Sequence, residues 1–231
     1  KMSLTLAVAL EINVPADGSY SSSDVATLSM QLRKVKASTL WVADVEKAAQ
    51  LVEEQASAQS NFPGPCPIVY HGDDIEAAIK SGVGAIVLPA GAELPEASSV
   101  DVIRRVASEA DVESVSGNAF LVDADSENLV QVMKAIPDGS IVVAAMDSMQ
   151  DENAELGRSK ELKELGATTI LFREACVGDN EDIEYATFVV DGLTKKKSST
   201  FNMSGLTGST NGHFGGVASL VATKWLRHKS S

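Results

Sequence analysis

Four polar side chains with complementary chemistry stand at the ends of short apolar segments, far apart in the chain. They are Glu11, His71, Asp123 and Arg173. A carboxylate and an imidazole exchange protons near neutral pH, and a guanidinium holds an anion. If the chain is an enzyme, we expect these four side chains to converge on one pocket as base, acid and anion holder.

Other polar groups near these positions have competing interpretations. His71 with Asp73 fits an acid/base pair, but we favour a loop histidine held by its neighbours. Asp123 and Asp125 suit Mg²⁺, yet capping of the next helix by Asp125 or Ser126 is the favoured interpretation. The three histidines of the chain lie far apart, which opposes a zinc site. We therefore predict neither a metal nor a cofactor.

The chain has only two cysteines, Cys66 and Cys176. A disulfide framework needs more, so we expect both to be buried free thiols in a reducing compartment. Carboxylates near Cys176 disfavour its thiolate, and we do not expect it to be a nucleophile.

The elements that must position these groups alternate regularly along the chain. Short apolar segments, mostly β-branched, are each followed by a stretch with helical periodicity, which predicts a parallel sheet covered by helices. The predicted strands are Leu4–Ile12, Thr39–Ala43, Pro67–Tyr70, Ala85–Leu88, Ala119–Val122, Ser140–Ala145 and Thr168–Phe172.

The predicted helices lie between these strands and after the last one. They are Ser23–Val35, Val45–Gln59, Asp74–Ser81, Ser99–Glu109, Ser126–Ala135, Glu152–Leu165 and Glu181–Leu193. Gly82 and Gly166 are placed to end the preceding helices in the left-handed conformation.

Seven strand-helix units without a glycine-rich nucleotide turn favour a closed (β/α) barrel of TIM type over an open, doubly wound sheet. An eighth strand fits only in the short, polar segment Val112–Ser116. We therefore expect one strand-helix unit, between Glu109 and Asp123, to be reduced.

The chain changes character after the last predicted helix. Residues 1–195 are predicted to form the barrel, and residues 196–231 a Gly/Ser-rich arm ending in the amphipathic helix Val217–Arg227. We expect the arm to pack on the barrel or on a protein partner, a plain surface loop being the alternative. Its candidate partner-binding residues are Phe201, Met203, Leu206, Phe214 and Trp225.

Composition restricts the possible partners and location. The 231 residues carry a formal net charge of −13, which opposes binding to nucleic acid. No apolar run approaches the roughly 18 residues of a membrane span. We expect a soluble protein of the cytoplasm or the plastid stroma, and a chain that starts at Lys1 through processing or trimming.

Several stretches resemble indole-3-glycerol-phosphate synthase, a ribulose-phosphate-binding barrel. Residues Ala9–Asn13, followed by Pro15 and Gly18, are similar to the family's first strand, which reads Glu-Ile-Lys and continues with Ser-Pro-Ser and Gly. Pro67–His71 resembles the third strand, Pro-Val-Leu-Arg-Lys. Weaker similarity extends over Ile75–Leu88, Ile136–Val143 and Leu162–Phe172.

The resemblance implies an active site that this chain does not reproduce. In the family, lysines that end the first and third strands assist ring closure and the loss of carbon dioxide and water. Asn13 and His71 stand at those places, and only Glu11 matches. The family's fifth-strand glutamate has its nearest counterpart at Val122 or Asp123.

The family's phosphate site is also altered. Barrels of this group hold phosphate on backbone N–H groups after the last two strands. Here Asp147, Arg173, Glu174, Asp179 and Glu181 follow those strands, and like-charge repulsion opposes phosphate. We therefore expect a non-catalytic barrel acting as a binding or scaffold subunit. The alternative is an active lyase of the synthase type, or a related barrel enzyme acting on a small anionic substrate.

Overall fold

The computed structural model describes residues 6–15, 19–60, 62–93, 100–148, 152–179 and 181–194. Eight strands form a closed barrel in which neighbouring strands are parallel. The strands are β1 (Ala7–Ile12), β2 (Thr39–Val42), β3 (Ile68–Tyr70), β4 (Ala85–Pro89), β5 (Asp101–Arg105), β6 (Ala119–Asp123), β7 (Ile141–Asp147) and β8 (Thr169–Cys176). The predicted TIM-type barrel is thus confirmed.

Within the described residues, a helix follows every strand except β4. The helices are α1 (Ser22–Val35), α2 (Val45–Ser57), α3 (Ile75–Ser81), α4 (Glu109–Ser114), α5 (Leu129–Ala135), α6 (Glu152–Leu165) and α7 (Asp182–Thr194). Residues 90–93 and 100, which are the described part of the β4–β5 connection, contain no helix. The segment between Glu109 and Asp123 contains both α4 and β6, so the expectation of a reduced unit there is wrong.

Side-chain caps determine where several helices begin. Ser21 and Asp24 form a capping box at the start of α1, in which each side chain accepts the other residue's backbone N–H. Asp44 and Asp74 are the N-caps of α2 and α3, and the side chain of each accepts one backbone N–H of the first helical turn. Gly82 and Gly166 end α3 and α6 with φ of 87° and 115°, as the sequence predicts.

The segment Ser99–Glu109, predicted to be a helix, contains strand β5, and the segment Val112–Ser116, proposed as the eighth strand, overlaps α4. Val100, Ile103 and Val106 have helical spacing, which explains the error. Arg104 is buried on the outer face of β5 and donates to the carbonyls of Pro89 and Ala92 at 3.1 and 2.7 Å. These hydrogen bonds allow a charged residue in a buried strand position, so hydrophobic periodicity misses the strand.

The apolar core has two parts, one inside the barrel and one between the strands and the helices. The side chains inside the barrel form one cluster: Ala9, Trp41, Val69, Val87, Ile103, Leu121, Val143, Ala145 and Leu171. The alternate strand residues pack outward against the helices in a larger cluster. Burial on both faces explains the nearly continuous apolar strands in the sequence.

The other expectations about the fold have different outcomes. Cys66 and Cys176 are free and buried, and burial raises the pKa of Cys66 to about 12 and that of Cys176 well above its ordinary value. No helix in the described ranges is long and apolar enough to cross a membrane. The predicted arm at 196–231 and its five partner-binding residues lie outside the described residues.

Candidate active site at the barrel mouth

The strand register defines which side chains share a layer inside the barrel. The strands tilt relative to the barrel axis, so a residue and its registered partner on the next strand lie at different heights along that axis. The residue at the same height is the one that follows the registered partner in the sequence. Starting at Glu11, this path passes His71 on β3, Arg105 on β5 and Ala145 on β7, and it closes on Glu11. These four residues form the odd-strand layer at the C-terminal mouth, where barrel enzymes place their chemistry.

A second layer, from the even strands, lies just above the odd-strand layer. The same register places Ala43, Pro89, Asp123 and Arg173 in it. The two layers contain all four residues that the sequence nominated. The side-chain contacts agree with this assignment, because Glu11 contacts His71 and Asp123 contacts Arg173.

Glu11 and His71 form the central pair of the odd-strand layer. His71 Nε2 lies 3.0 Å from Glu11 Oε1, and the two side chains are 16% and 13% exposed. Burial raises the pKa of Glu11, but His71, the Glu174 N–H and the charge of Arg173 outweigh it, and the pKa lies below its ordinary value. Glu11 is therefore ionised at neutral pH and is an acceptor only.

A β-bulge in β8 contributes to this pair. Leu10 is in register with Phe172, but Ile12 is in register with Cys176, so β8 has extra residues at this level. Glu174 lies in the bulge with φ of 53°, a left-handed conformation that is uncommon for a non-glycine residue. Its N–H donates to Glu11 Oε2 at 2.8 Å. The bulge thus fixes the orientation of the Glu11 carboxylate.

Arg173 is surrounded by carboxylates. Its two terminal nitrogens donate to both oxygens of Asp123 at 3.2 and 3.3 Å. Its Nε lies 2.7 Å from Asp147, and a terminal nitrogen lies 3.9 Å from Asp125. Burial lowers the pKa of Arg173, but the three carboxylates raise it by more than burial lowers it. The pKa of Arg173 therefore lies above its ordinary value. Arg173 is thus paired within the chain, whereas the sequence suggested an anion holder.

Arg105 is a mouth residue that the sequence analysis missed. It ends β5 and is exposed, and it makes no ion pair within the described part of the chain. Arg105 was missed because Ser99–Glu109 was predicted to be a helix, and in a helix alternate residues do not share one face. The sequence gives no clear strand signal here, because only Ile103 of the three residues on the inner face, Asp101, Ile103 and Arg105, is apolar.

The backbone N–H groups after β8 face a carboxylate of the same chain. The N–H of Gly178 donates to Asp182 Oδ2 at 2.9 Å, and the backbone N–H groups of Val177 and Asp179 act in the same direction by lowering the pKa of this carboxylate. Asp182 is 5% exposed; burial and the charge of Asp179 raise its pKa above the ordinary value despite these N–H groups. In barrels that hold phosphate after the last strands, such amides bind the anion.

The competing interpretations of His71 and Asp123 are also decided by contacts. His71 contacts Glu11, and Asp73 is not its partner.

Asp123 Oδ1 accepts the N–H of Asp125 at 3.0 Å, in a turn that precedes α5. Burial raises the pKa of Asp123, but this hydrogen bond and Arg173 outweigh burial, so the pKa lies below its ordinary value. α5 begins at Leu129 and its N-cap, Asn128, makes no side-chain capping bond; the Ser126 hydroxyl instead accepts the Asn128 N–H at 3.3 Å, in the turn directly before the helix. Among the residues with described positions, no group of three His, Cys, Asp or Glu side chains is arranged to hold a metal.

The expectation that Val122 or Asp123 is the nearest counterpart of a fifth-strand glutamate needs correction, because both residues lie on β6. Asp123 ends β6, and the residue that ends β5 is Arg105.

Solved structures with this fold come from several enzymes. Orotidine 5'-phosphate decarboxylase from Pyrococcus horikoshii has a TM-score of 0.59 at 13% identity, covering 82% of this chain and 100% of that chain. The HpcH/HpaI aldolase from Desulfitobacterium hafniense has a TM-score of 0.53 at 10% identity, covering 82% and 92%. The N-acetylmannosamine-6-phosphate 2-epimerase from Clostridium perfringens has a TM-score of 0.51 at 12% identity, covering 73% and 86%.

These likenesses, all at low identity, show the fold alone. The chain is a TIM-type (β/α)₈ barrel, a fold that it shares with enzymes. No family model matches the chain, and no curated protein matches its sequence. The resemblance to indole-3-glycerol-phosphate synthase is therefore confirmed only at the level of this barrel fold.

Proposed function

We propose that this chain is a non-catalytic barrel that acts as a binding or scaffold subunit of a larger assembly. The observation that carries the proposal is that the chain's own carboxylates pair with the anion-binding groups at the end of β8. Asp182 accepts the backbone N–H of Gly178 there, and Arg173 is paired with three aspartates.

This pairing opposes the binding of a phosphate ester for two physical reasons. A phosphate at this position would have to displace the buried Asp182 carboxylate from its hydrogen bonds. It would also approach Asp123, Asp125 and Asp147, whose negative charges exceed the single positive charge of Arg173. The reactions of phosphate-binding barrels require that anchor, so we propose that the chain does not catalyse them.

We propose that the partner binds through the C-terminal arm. Phe201, Met203, Leu206, Phe214 and Trp225 lie among glycines and small polar residues there, a composition that orders on binding. We further propose that the protein is soluble in a reducing compartment, the cytoplasm or the plastid stroma, and that it binds no nucleic acid.

Native purification from the source, followed by identification of copurifying proteins, tests the scaffold role. We expect a defined partner that is lost from the Phe214→Ser variant and retained by Phe62→Ser, which removes an aromatic side chain that is 92% exposed on the barrel. Recovery of a lone monomer, or equal retention of the partner by both variants, would contradict the proposal.

An activity assay tests the absence of catalysis separately. The unaltered chain is expected to give no turnover of the phosphorylated indole precursor that indole-3-glycerol-phosphate synthase uses. Detectable turnover would overturn the non-catalytic proposal. Synthase activity gained by Asn13→Lys together with His71→Lys would support descent from such an enzyme.

A second candidate function is an enzyme that acts on a small, non-phosphorylated anion. The contact between Glu11 and His71 favours it, because a carboxylate-imidazole pair at a barrel mouth suits proton transfer. In this case Glu11 is the base and His71 the acid, while Asp123 and Arg173 shape the rim. A pH-dependent turnover that Glu11→Gln abolishes would decide in favour of this candidate.

A further inference from the structure

We propose that the odd-strand layer at the mouth binds a small carboxylic acid that carries a hydrogen-bond donor at its other end. Arg105 would bind the carboxylate of the ligand, and Glu11 would accept the hydrogen bond of its donor. Amino acids and hydroxy acids belong to this chemical class. The site lies beyond the proposed scaffold function and does not depend on it.

The availability of Arg105 is the first argument. Of the two arginines in the mouth layers, Arg173 has three carboxylate partners, whereas Arg105 is exposed and has none among the described residues. A guanidinium has five N–H donors in a fork that matches a carboxylate. Arg105 therefore has the capacity to bind an anion without breaking an existing ion pair.

The position of Glu11 is the second argument. β1 and β5 lie opposite each other in the eight-stranded barrel, so Glu11 and Arg105 face each other across the same layer. The Glu11 carboxylate accepts one N–H and contacts His71, which leaves lone pairs for a ligand. An acceptor on one side and a donor fork on the other require a ligand that is anionic at one end and a donor at the other.

The surroundings limit the size and polarity of this ligand. Ala145, the fourth member of the layer, has a small side chain and leaves room on the β7 side. The layer immediately below is apolar and closes the barrel. It consists of Trp41, Val87, Leu121 and Leu171. The ligand therefore has polar ends and lies on an apolar floor, as is common in small-molecule sites.

The charge of the mouth favours this class over a phosphate. Asp123, Asp125 and Asp147 repel a dianion more strongly than a monoanion. An ammonium or hydroxyl group on the ligand is attracted by Glu11 instead of being repelled. We therefore expect an amino acid to bind more tightly than a simple fatty acid of equal length.

Titration calorimetry of the whole chain with L-serine, L-lactate, propionate and glycerol phosphate tests the proposal. We expect L-serine and L-lactate to bind, propionate to bind more weakly, and glycerol phosphate not to bind. Arg105→Gln should lower the affinity for L-serine and L-lactate by at least about tenfold, since it removes a charge-assisted hydrogen bond. Glu11→Gln should lower the affinity for L-serine more than the affinity for propionate.

The matched control is Lys80→Gln, which removes one exposed positive charge at the C-terminal end of α3. This variant should bind every probe as the unaltered chain does. Equal affinity of Arg105→Gln and the unaltered chain, or no binding of any carboxylate probe, would overturn the proposal. Because these outcomes concern only small ligands, they are independent of whether a protein partner copurifies.

Discussion

Two arginines at the mouth of this barrel differ in what surrounds them. Arg173, at the end of β8, lies among Asp123, Asp125 and Asp147 and forms ion pairs with all three carboxylates. Arg105, at the end of β5, shares its layer with Glu11 on the opposite strand and has no ion-pair partner in the described structure. The same residue type is thus paired at one place and available at the other.

This difference shows that register, more than composition, decides whether a charge is available for binding. Asp147 at the end of β7 is in register with Arg173 on β8, and Asp123 at the end of β6 reaches Arg173 from the same even-strand layer. β5 has no acidic residue in register at its C-terminal end, where its partners are Pro89 and Leu121. Although the chain has a net charge of −13, Arg105 at its mouth therefore has no ion-pair partner among the residues whose positions are described.

The close packing around Gly72, which follows His71, gives the largest expected effect on stability. A Cβ on Gly72 would overlap the carbonyl oxygen of Ala43 and lie 2.5 Å from the hydroxyl of Tyr70. Gly72→Ala should therefore lower the free energy of unfolding by about 2–3 kcal/mol in chemical denaturation. Gly91→Ala, where a Cβ meets nothing within 4 Å, should change it by less than about 0.5 kcal/mol. Equal effects would show that the loop after β3 adapts freely.

Removing each arginine tests the contrast between them directly. Arg173→Met leaves three neighbouring carboxylates without their common cation, and should lower the free energy of unfolding by about 1–2 kcal/mol. Arg105→Met breaks no ion pair in the described structure and should change it by less than about 0.5 kcal/mol. Denaturant titrations of the two variants provide the comparison. A larger loss for Arg105→Met would show that Arg105 has a structural partner.

The loss of folding stability at acidic pH tests the Glu11–His71 pair, and we expect a smaller effect there than for the substitutions above. The pKa of Glu11 is lower in the folded chain than its ordinary value of 4.5, so its ionised form stabilises the fold above that pH. This contribution is lost as the pH falls below 4.5 and through the folded pKa. Glu11→Gln should therefore reduce the loss of stability in this range, and Arg105→Gln should leave it unchanged. An identical acid limb for Glu11→Gln and the unaltered chain would contradict the Glu11–His71 interaction.

Much of the barrel follows from local pattern, because buried parallel strands produce continuous apolar segments and helices end at glycines such as Gly82. β5 could not be recognised, because Arg104 is buried there by hydrogen bonds to carbonyls that only the folded loop supplies. Arg105 was missed for the same reason.

The candidate site was only partly predictable. The ends of the apolar segments nominated Glu11, His71, Asp123 and Arg173, and the fold places all four at one mouth. The pairing within that mouth depends on the closure of β8 against β1 and β7, which periodicity does not encode. The role of Asp182 depends on the same closure and on the turn at Gly178.

The most direct test of the contrast between the two arginines is a crystal structure of the whole chain with L-lactate and sulfate both present. We predict electron density for L-lactate between Arg105 and Glu11, with Arg173 still bound to Asp123 and with Asp182 still accepting the Gly178 N–H. A sulfate held by the backbone amides after β7 and β8, with Asp182 displaced and Arg173 turned toward the anion, would contradict it.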